Sequence, residues 1–431
     1  MNCPYPERNC PRELPHDATV CPGCRRIVKA CARCREVNRA FGNFCRACGE
    51  ALDATDGNWL GYKGGVQRLG SNAAPRREQV RKHDVVNTGL TLRLGDVCRS
   101  LLGYDGHLVA VAKSGAIEIA DPRRPAAAQR FQVHGPVSAE PCIDRGILYV
   151  GTPGQIAAYS IGALTLSAPR SRPLWVVSVG GSPIQALTPV GDRLYATVAT
   201  EARKEVAVID NVREGQPSQP RIVHAARRVS WLAADPARGE VVFLSEDGGG
   251  VQVHVAASAH AELASRPVAV GTFSEHPIAY LGGSVFALFE EAQLYRIDPF
   301  TGGIDETLGD DTQLFSLTCD EDEEWDRDLV QVESGGVVFA RAGVRDTFSH
   351  LDRAVKGSPV IVHGRAAAVG MEDGRVLLYD LARLPRHEVW RLDGAAGTPI
   401  TALASFDSFI AAGNRDGVVG VCELRAAAGA S

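Results

Sequence analysis

The chain has 431 residues, of which 45% are hydrophobic and 23% charged, so it can bury a large core and does not have the composition of a disordered protein. No run approaches the roughly 18 consecutive apolar residues of a membrane-spanning helix, so we expect no such span and no membrane partner. The first ten residues, MNCPYPERNC, contain no apolar segment, which predicts that a secretion signal is absent and that the location is cytoplasmic.

Charge is distributed unevenly along the chain. Residues 1–52 carry nine Lys or Arg and five Asp or Glu, a net charge of +4, and residues 53–84 carry +2. Because the whole chain carries −5, the remainder from Val85 onward carries −11. A surface that binds nucleic-acid phosphates must supply cations. Any nucleic-acid binding is therefore expected at the N-terminal end.

Eight of the 12 cysteines lie within the first 48 residues, in two groups with the spacing of zinc sites. In the first group, Cys21-Pro22-Gly23-Cys24 has the Cys-x-x-Cys spacing of a metal-binding turn. Cys10 lies ten residues before this turn, and six residues separate it from Cys3. The predicted ligands of this site are Cys3, Cys10, Cys21 and Cys24, with His16 as the alternative to Cys3.

The second group is more regular and consists of Cys31, Cys34, Cys45 and Cys48. Two Cys-x-x-Cys turns separated by ten residues place four thiolates around a tetrahedral Zn²⁺, at about 2.3 Å each. Gly49 follows Cys48, where such a turn needs a positive φ. Four thiolates leave no open metal position, so both sites are predicted to hold structural Zn²⁺. Disulfides are the alternative, and the predicted absence of secretion argues against them.

Across residues 3–48 this tandem resembles the double zinc ribbon family. The resemblance implies a module that binds protein or nucleic acid. Ribbons this short have almost no apolar core, so metal binding would supply most of their folding free energy.

The chain is predicted to divide into three parts. The ribbons cover residues 1–52 and a propeller, described below, covers 85–431. Between them, residues 53–84 are rich in Gly and charge and have no apolar period, which predicts a flexible linker with one short helical piece near Pro75–Lys82.

From Val85 onward the sequence repeats. A Gly-Ser/Thr-Pro-apolar tetrapeptide begins at Gly181, Gly357 and Gly397, and looser copies begin at Gly135 and His276. Each opening is followed by two short runs rich in Val, Ile, Tyr and Phe, such as RLYATV and VAVID. The runs are four to six residues long, too short for a helical solenoid, so they predict strands.

Eight such units are counted, which predicts an all-β chain whose main domain is an eight-bladed β-propeller. Their spacing is about 37 to 50 residues, the period of four-stranded blades. Seven blades are the alternative because the sixth unit is the weakest copy. The second runs end near Asp121, Ser160, Asp210, Val255, Asp298, Gly343, Asp380 and Glu423.

Outer strands are also expected in most units, from the segments RFQVH, LWVVSV, RIVHA and HEVWRL. No such segment follows the eighth unit, but TGLTLRL near Thr88 precedes the first. We predict that this strand completes the last blade and closes the ring, since an open ring would expose edge strands.

The repeat resembles that of quinoprotein, or PQQ-like, β-propellers over about 340 residues, with WD40-type propellers as a close alternative. Residues Leu294–Gly302, LYRIDPFTG, match the family's strand-turn motif, although Gly303 and Glu306 depart from the Lys and Trp that usually follow. Trp175 and Trp390 precede Gly-Ser/Thr-Pro openings at nearly the same offset. The resemblance implies that these tryptophans dock one blade on the next.

Catalytic motifs are not found: the sequence has no HExxH, GxSxG, Walker or dinucleotide-binding pattern in a suitable context. Quinoprotein enzymes are generally exported, often with a vicinal cysteine pair and a calcium site, and this chain has no adjacent cysteines. We therefore expect no enzyme activity, no quinone and no small-molecule substrate. His134, His276 and His363 are predicted to hydrogen-bond neighbouring blades. The acidic run Asp320–Asp328 is predicted to be a solvated loop, or a partner-docking loop anchored by Trp325.

These features predict a non-enzymatic scaffold that binds protein partners, as part of a multi-component regulatory or signalling complex. The alternative is nucleic-acid binding through the basic ribbons, which have few aromatic residues for base stacking. The closely spaced cations are Arg25, Arg26, Lys29, Arg33, Arg35 and Arg39.

Overall fold

The structure is a computed structural model, in which the secondary structure is described for part of the chain. The described ranges are 28–30, 34–39, 71–72, 83–165, 172–180, 183–213, 215–235, 239–257, 263–269, 271–273, 278–281, 283–289, 294–308, 314–320, 328–333, 336–341, 344–349, 360–362, 366–380, 387–392, 397–406 and 408–426.

Four strands come before the repeats. β1 (Val28–Ala30) and β2 (Val37–Arg39) form a separate antiparallel hairpin. β3 (Ser71–Asn72) and β4 (His83–Arg93) instead join sheets that are built mainly from the C-terminal end of the chain.

The first half of the repeat region forms four sheets, numbered here in chain order. Sheet 1 contains β5 (Cys98–Tyr104), β6 (His107–Ala112), β7 (Ala116–Ala120) and β8 (Gln129–Gln132). Sheet 2 contains β9 (Cys142–Asp144), β10 (Ile147–Thr152), β11 (Gln155–Ser160) and β12 (Trp175–Ser178). Sheet 3 contains β13 (Ile184–Val190), β14 (Arg193–Ala199), β15 (Lys204–Asp210) and β16 (Arg221–Ala226). Sheet 4 contains β17 (Arg228–Val229), β18 (Ala233–Asp235), β19 (Glu240–Asp247), β20 (Gly250–Ala257) and β21 (Leu263–Pro267).

The second half forms four more. Sheet 5 contains β22 (Ala279–Leu281), β23 (Ser284–Leu288), β24 (Leu294–Ile297) and β25 (Ile304–Leu308). Sheet 6 contains β26 (Leu314–Asp320), β27 (Asp328–Glu333), β28 (Gly336–Arg341) and β29 (Val344–Ser349). Sheet 7 contains β30 (Val360–Val362), β31 (Ala366–Gly370), β32 (Arg375–Asp380) and β33 (His387–Arg391), with β3 added beside β30. Sheet 8 contains β34 (Ile400–Phe406), β35 (Phe409–Asn414) and β36 (Val418–Ala426), with β4 as its fourth strand.

Helix is almost absent from the described residues, as the sequence predicts. It consists of α1 (Ile161–Leu164) and a 3₁₀ turn at Pro125–Ala127. In the part of the chain that the structure describes, no helix is long and apolar enough to cross a bilayer.

The recurring tetrapeptides mark the innermost strands. β13, β30 and β34 begin at Ile184, Val360 and Ile400, the apolar residue that closes each opening. Asp-Gly turns join paired strands in sheets 7 and 8, where Gly374 and Gly417 have φ of 82° and 75°. A left-handed residue lets two strands reverse over a tight turn, and glycine adopts it without steric cost.

A glycine at or near the end of the second strand of a repeat makes room for the next sheet. A methyl carbon at Gly370 in β31 would lie 2.7 Å from Ile400 Cγ2 in sheet 8. One at Gly413 in β35 would lie 2.8 Å from Cys98 Cβ in sheet 1. Real Cβ atoms do not approach other carbons this closely, so the repeated Val-Gly and Ala-Gly endings allow neighbouring sheets to pack in contact.

From sheet 1 to sheet 5, and from sheet 6 through sheet 8 back to sheet 1, neighbouring sheets meet through their innermost strands. The contacts follow chain order, since β5 touches β9, β9 touches β13, β13 touches β18, β18 touches β22, β26 touches β30, and β30 touches β34. β34 in turn touches β5, so the last sheet packs against the first. Buried apolar residues of sheets 1, 7 and 8 form one cluster across this contact, which includes both Cys98 and Cys422.

The last sheet is completed by the N-terminal strand, as predicted for the segment near Thr88. β4 pairs antiparallel with β36, from His83 opposite Ala426 to Arg93 opposite Val418. The pairing is interrupted at Val421, where Thr88 Oγ1 donates a 2.8 Å hydrogen bond to the Val421 carbonyl. Strands from opposite ends of the chain therefore share one sheet.

Candidate functional site

Of the eight cysteines predicted to bind zinc, Cys34 lies in the described part of the chain, where it is exposed in the turn between β1 and β2. The remaining predicted ligands lie outside the described residues, as does the alternative ligand His16. They are Cys3, Cys10, Cys21, Cys24, Cys31, Cys45 and Cys48.

Cys34 lies in the loop of the hairpin that β1 and β2 form. Ala30 pairs with Val37, so the loop that joins the two strands runs from Cys31 to Glu36 and contains both cysteines. Arg35, directly after Cys34, has φ of 61°, a left-handed conformation that is uncommon for a non-glycine residue. It occupies the position after the second cysteine that Gly49 occupies after Cys48. The hairpin therefore fits the predicted second zinc site.

Within the described ranges, no three His, Cys, Asp or Glu side chains lie close enough together to hold a metal ion. Burial raises the pKa of the Cys98 and Cys422 thiols well above the usual range, so both stay protonated and are poor metal ligands.

Trp175 ties sheet 2 to sheet 3, as the propeller resemblance implies. Its side chain is 7% exposed, and its indole Nε1 donates a 3.0 Å hydrogen bond to the Val212 carbonyl, which follows β15. Trp390, at the corresponding place in sheet 7, packs against Gly420 of sheet 8. Its buried Nε1 has no hydrogen-bond partner among the described residues. Both tryptophans dock on the next sheet, but the described hydrogen bond belongs to Trp175.

This difference predicts unequal costs for one substitution at the two sites. Trp175→Phe should destabilise the folded state by about 1 to 3 kcal/mol more than Trp390→Phe, because it leaves the buried Val212 carbonyl without its donor. Both variants lose the same side-chain volume, so Trp390→Phe is the matched control. Urea unfolding of the two variants measures the difference, and equal losses would mean that the hydrogen bond contributes nothing.

Further polar contacts join neighbouring sheets. Arg99, in β5, donates from Nη2 to the Ser138 carbonyl at 2.9 Å, and the same atom lies 3.7 Å from Glu140 Oε1. Arg213 binds Asp144 of sheet 2 at 2.7 Å. Thr401, in β34, donates from Oγ1 to the Cys98 carbonyl at 2.7 Å. These contacts join adjacent sheets.

A histidine pair lies between sheets 3 and 4, in which His254 is buried and His224 is half-buried. The ring centroids of His224, in β16, and His254, in β20, are 4.3 Å apart, and Phe243 stacks on His254 at 4.7 Å. His254 is 1% exposed, and its two ring nitrogens lie 2.7 Å from Ser245 Oγ and 2.8 Å from Ser265 Oγ. An imidazole enclosed in this way cannot reach a substrate, so the pair is part of the packing between sheets.

The surroundings favour the neutral form of both rings. Burial, with a smaller contribution from the adjacent His224, lowers the pKa of His254 to about 3. Burial also lowers the pKa of His224, against the opposing effect of the Asp247 carboxylate.

A pH dependence of stability follows. In the unfolded chain His254 takes up a proton near its ordinary pKa of 6.5, whereas in the folded state it does so only near 3. Stability should therefore fall as the pH drops through this window, by up to about 1.4 kcal/mol per pH unit for this one group. His254→Gln should reduce the slope of unfolding free energy between pH 6.5 and 5. His134→Gln, at an exposed histidine, should leave it unchanged. Parallel slopes for wild type and His254→Gln would contradict the assignment.

Sequence reasoning singled out other histidines and missed this pair. His134 is exposed, and His276 and His363 lie outside the described residues. In β20, His254 interrupts the run Val251 to Ala256, whose members are buried on both faces of the strand except Gln252. A polar residue inside such a run was the available signal.

The acidic run occupies a hairpin of sheet 6. Asp320 ends β26 and pairs with Asp328, which begins β27. The intervening residues, including Trp325, lie outside the described residues. The run therefore lies between two strands of one sheet, and its role as a solvated or partner-docking loop stays a prediction.

The sheets described above have the arrangement of a β-propeller fold. No protein-family model matches the chain, and no curated protein matches it in sequence. Among solved structures, the chain is similar to BamB from Moraxella catarrhalis, with a TM-score of 0.56 and 17% identity over 79% of this chain and 98% of that one.

Two further structures show the range of proteins with this fold. The quinohemoprotein alcohol dehydrogenase of Comamonas testosteroni matches with a TM-score of 0.60 and 9% identity, over 86% of this chain and 81% of that one. The computationally designed Ika8 protein matches with a TM-score of 0.58 and 18% identity, over 77% and 97%. At these identities the likeness concerns the fold alone, which does not determine an activity.

Proposed function

We propose that this chain is a non-enzymatic, zinc-binding adaptor that brings protein partners together within a multi-component complex. The observation that carries the proposal is the pairing of a propeller, tied across its sheets by buried contacts, with a separate cysteine hairpin outside those sheets. A rigid body and a second small module on a linker provide two binding surfaces. Structural zinc in the ribbons would need a reducing compartment such as the cytoplasm, where thiols stay reduced.

The propeller is proposed to be a ring of eight blades. Eight sheets, six of four strands and two of five, follow one another in the described residues, and the innermost strands of sheets 8 and 1 are in contact. The sixth sheet, which corresponds to the weakest sequence repeat, has the same four-strand order as its neighbours. These observations favour eight blades over seven.

The ribbons are proposed to hold two structural Zn²⁺. The left-handed Arg35 after Cys34, in a loop closed by Ala30 and Val37, supports the second site. The first site is proposed from spacing, with Cys3 favoured over His16 as the fourth ligand. The proposed ligand sets are Cys3, Cys10, Cys21 and Cys24 for one ion, and Cys31, Cys34, Cys45 and Cys48 for the other.

Exposed apolar side chains suggest where a protein would bind the propeller. Val176, in β12, and Ile222, in β16, are each 48% exposed on the outer strands of adjacent sheets, and Leu174 beside β12 is 51% exposed. Apolar residues that stay exposed at a sheet edge favour contact with a protein partner.

Affinity capture with the tagged full chain tests the adaptor function. A reproducible set of protein partners is expected, and Val176→Glu with Ile222→Glu should remove those that bind this edge. Thr91→Glu, at an exposed position of the outer strand β4, is the matched control and should retain them. Capture that returns no reproducible partner from the native source would overturn the proposal.

The second candidate function is nucleic-acid binding by the ribbons. It is favoured by the hairpin itself, which carries Lys29 and Arg39 on its strands and Arg35 in its loop. Filter binding of the full chain to single- and double-stranded DNA and RNA distinguishes the two functions. Binding that weakens steeply with salt supports this candidate, and no binding at about 50 mM salt excludes it.

A further inference from the structure

The linker enters the propeller at the innermost edge of sheet 7. β3, formed by Ser71 and Asn72, pairs in parallel with β30, with Ser71 opposite Ile361 and Asn72 opposite Val362. β3 also touches β26 and β34, the innermost strands of the sheets on either side. The innermost strands of three consecutive sheets surround this segment. It therefore lies on the inner side of the sheets, which in a propeller faces the central channel and is called the channel side here.

This edge differs from the other innermost edges. In the described residues, no further strand pairs with the inner edge of the other sheets. The one additional contact of this kind is a single β-bridge between Glu140 and Ala186, which lies in β13, the first strand of sheet 3. An unpaired strand edge presents backbone N–H and C=O groups that can accept an extended peptide. In sheet 7 those groups are taken by the chain's own linker.

The chain length allows the linker to reach this place while β4 holds its position. Ten residues, 73–82, separate Asn72 from His83, and an extended chain of that length spans up to about 35 Å. The distance from the innermost to the outermost strand of a four-stranded sheet is about 14 Å. The linker can therefore pass from the channel side of sheet 7 to the rim of sheet 8 with length to spare.

We propose that the innermost edge of sheet 7 is a strand-addition site for an extended peptide, and that Ser71–Asn72 is its tethered, exchangeable occupant. The pairing covers two residues, so it contributes few backbone hydrogen bonds and a longer peptide can replace it. The tether keeps the occupant near its site at an effective concentration in the millimolar range. A competing peptide must therefore bind well enough to displace it.

Charge indicates the chemistry of that peptide. The chain from Val85 onward carries a net charge of −11, and basic residues flank the paired segment at Arg68, Arg76 and Arg77. The site would thus accept an extended segment of small uncharged residues between basic ones. The proposal does not depend on the adaptor function or on zinc, since its test reads only the position and exchange of the linker.

The position is tested by cross-linking in the full chain. Ser71→Cys with Ile361→Cys places two thiols on neighbouring strands, and mild oxidation should join them, as peptide mapping would show. The control pair is Ser71→Cys with Gln185→Cys. Gln185 lies in sheet 3, four sheets before sheet 7 in chain order, so this pair adds the same number of thiols but should cross-link at least tenfold less. Equal yields for the two pairs would overturn the proposal.

Exchange is tested with a labelled peptide of residues 66–77. Ser71→Pro with Asn72→Pro removes two backbone donors and should release the linker. The peptide should bind this released protein at least tenfold more tightly than the oxidised Ser71→Cys/Ile361→Cys protein, in which the site is filled. Equal affinity for the two proteins, or no binding to the released one, would show that the edge is not a strand-addition site.

Discussion

Removing residues 1–94 should unfold or aggregate the propeller, whereas removing residues 1–82 should leave it folded. The first deletion takes away β4, and with it the outer strand of sheet 8. It also removes Leu90, Leu92 and Leu94, which are 2%, 3% and 1% exposed and pack in the cluster that joins sheets 7, 8 and 1. Each fully buried leucine contributes about 1.5 to 3 kcal/mol, so the expected loss is several kcal/mol. Urea unfolding and size-exclusion chromatography of the two truncated proteins measure it.

A point variant keeps this test informative if the longer deletion gives only aggregates. Leu92→Ala should destabilise the full chain by about 2 to 5 kcal/mol, since it leaves a cavity in the cluster. Thr91→Ala, at the exposed neighbouring position of the same strand, should change stability by less than about 0.5 kcal/mol. Equal unfolding midpoints for these two variants, or for the two truncations, would mean that β4 does not close the ring.

The strand-level description of the propeller follows from the sequence because local chemistry determines it. Short β-branched runs, glycine at positive φ and the Gly-Ser/Thr-Pro openings each act within a few residues, and β13, β30 and β34 begin where the openings end. Even the strand near Thr88 was predicted by counting edges, since the eighth unit lacks an outer strand. The physical reason for the repeated Val-Gly ending, however, required the position of the next sheet, whose Ile400 leaves no room for a Cβ at Gly370.

Other contacts between distant segments could not be predicted from the sequence. The pairing of Ser71 with Ile361 is a backbone interaction, and neither residue type nor an apolar period announces it. The neutral state of His254 likewise depends on burial between two sheets and on His224 from the adjacent one. Spacing alone placed Trp175 and Trp390 at equivalent positions, but the described hydrogen bond to the Val212 carbonyl distinguishes Trp175.

The zinc sites are the reverse case, in which the sequence says more than the structure does. Ligand spacing is a one-dimensional signal and needs no packed core, so two sets of four cysteines can be proposed from residues 3–48. The described structure adds the hairpin around Cys34 and the left-handed Arg35. Metal analysis supplies the missing test.

Protein purified without chelator should contain two equivalents of zinc. Cys34→Ser should reduce the content to one and unfold the second ribbon, because three thiolates hold the ion much more weakly and metal binding supplies the ribbon's folding free energy. The main thermal transition should be unchanged, since the hairpin forms a sheet separate from those of the propeller. Cys422→Ala is the matched control: it also removes a cysteine, but burial raises the pKa of the Cys422 thiol and keeps it protonated, so two equivalents should remain.

One equivalent in the wild type would remove the site of Cys3, Cys10, Cys21 and Cys24, and a value near zero would remove both. If two are found, Cys3→Ser and His16→Ala decide the fourth ligand of the first site, because only the substitution at the true ligand should release that ion.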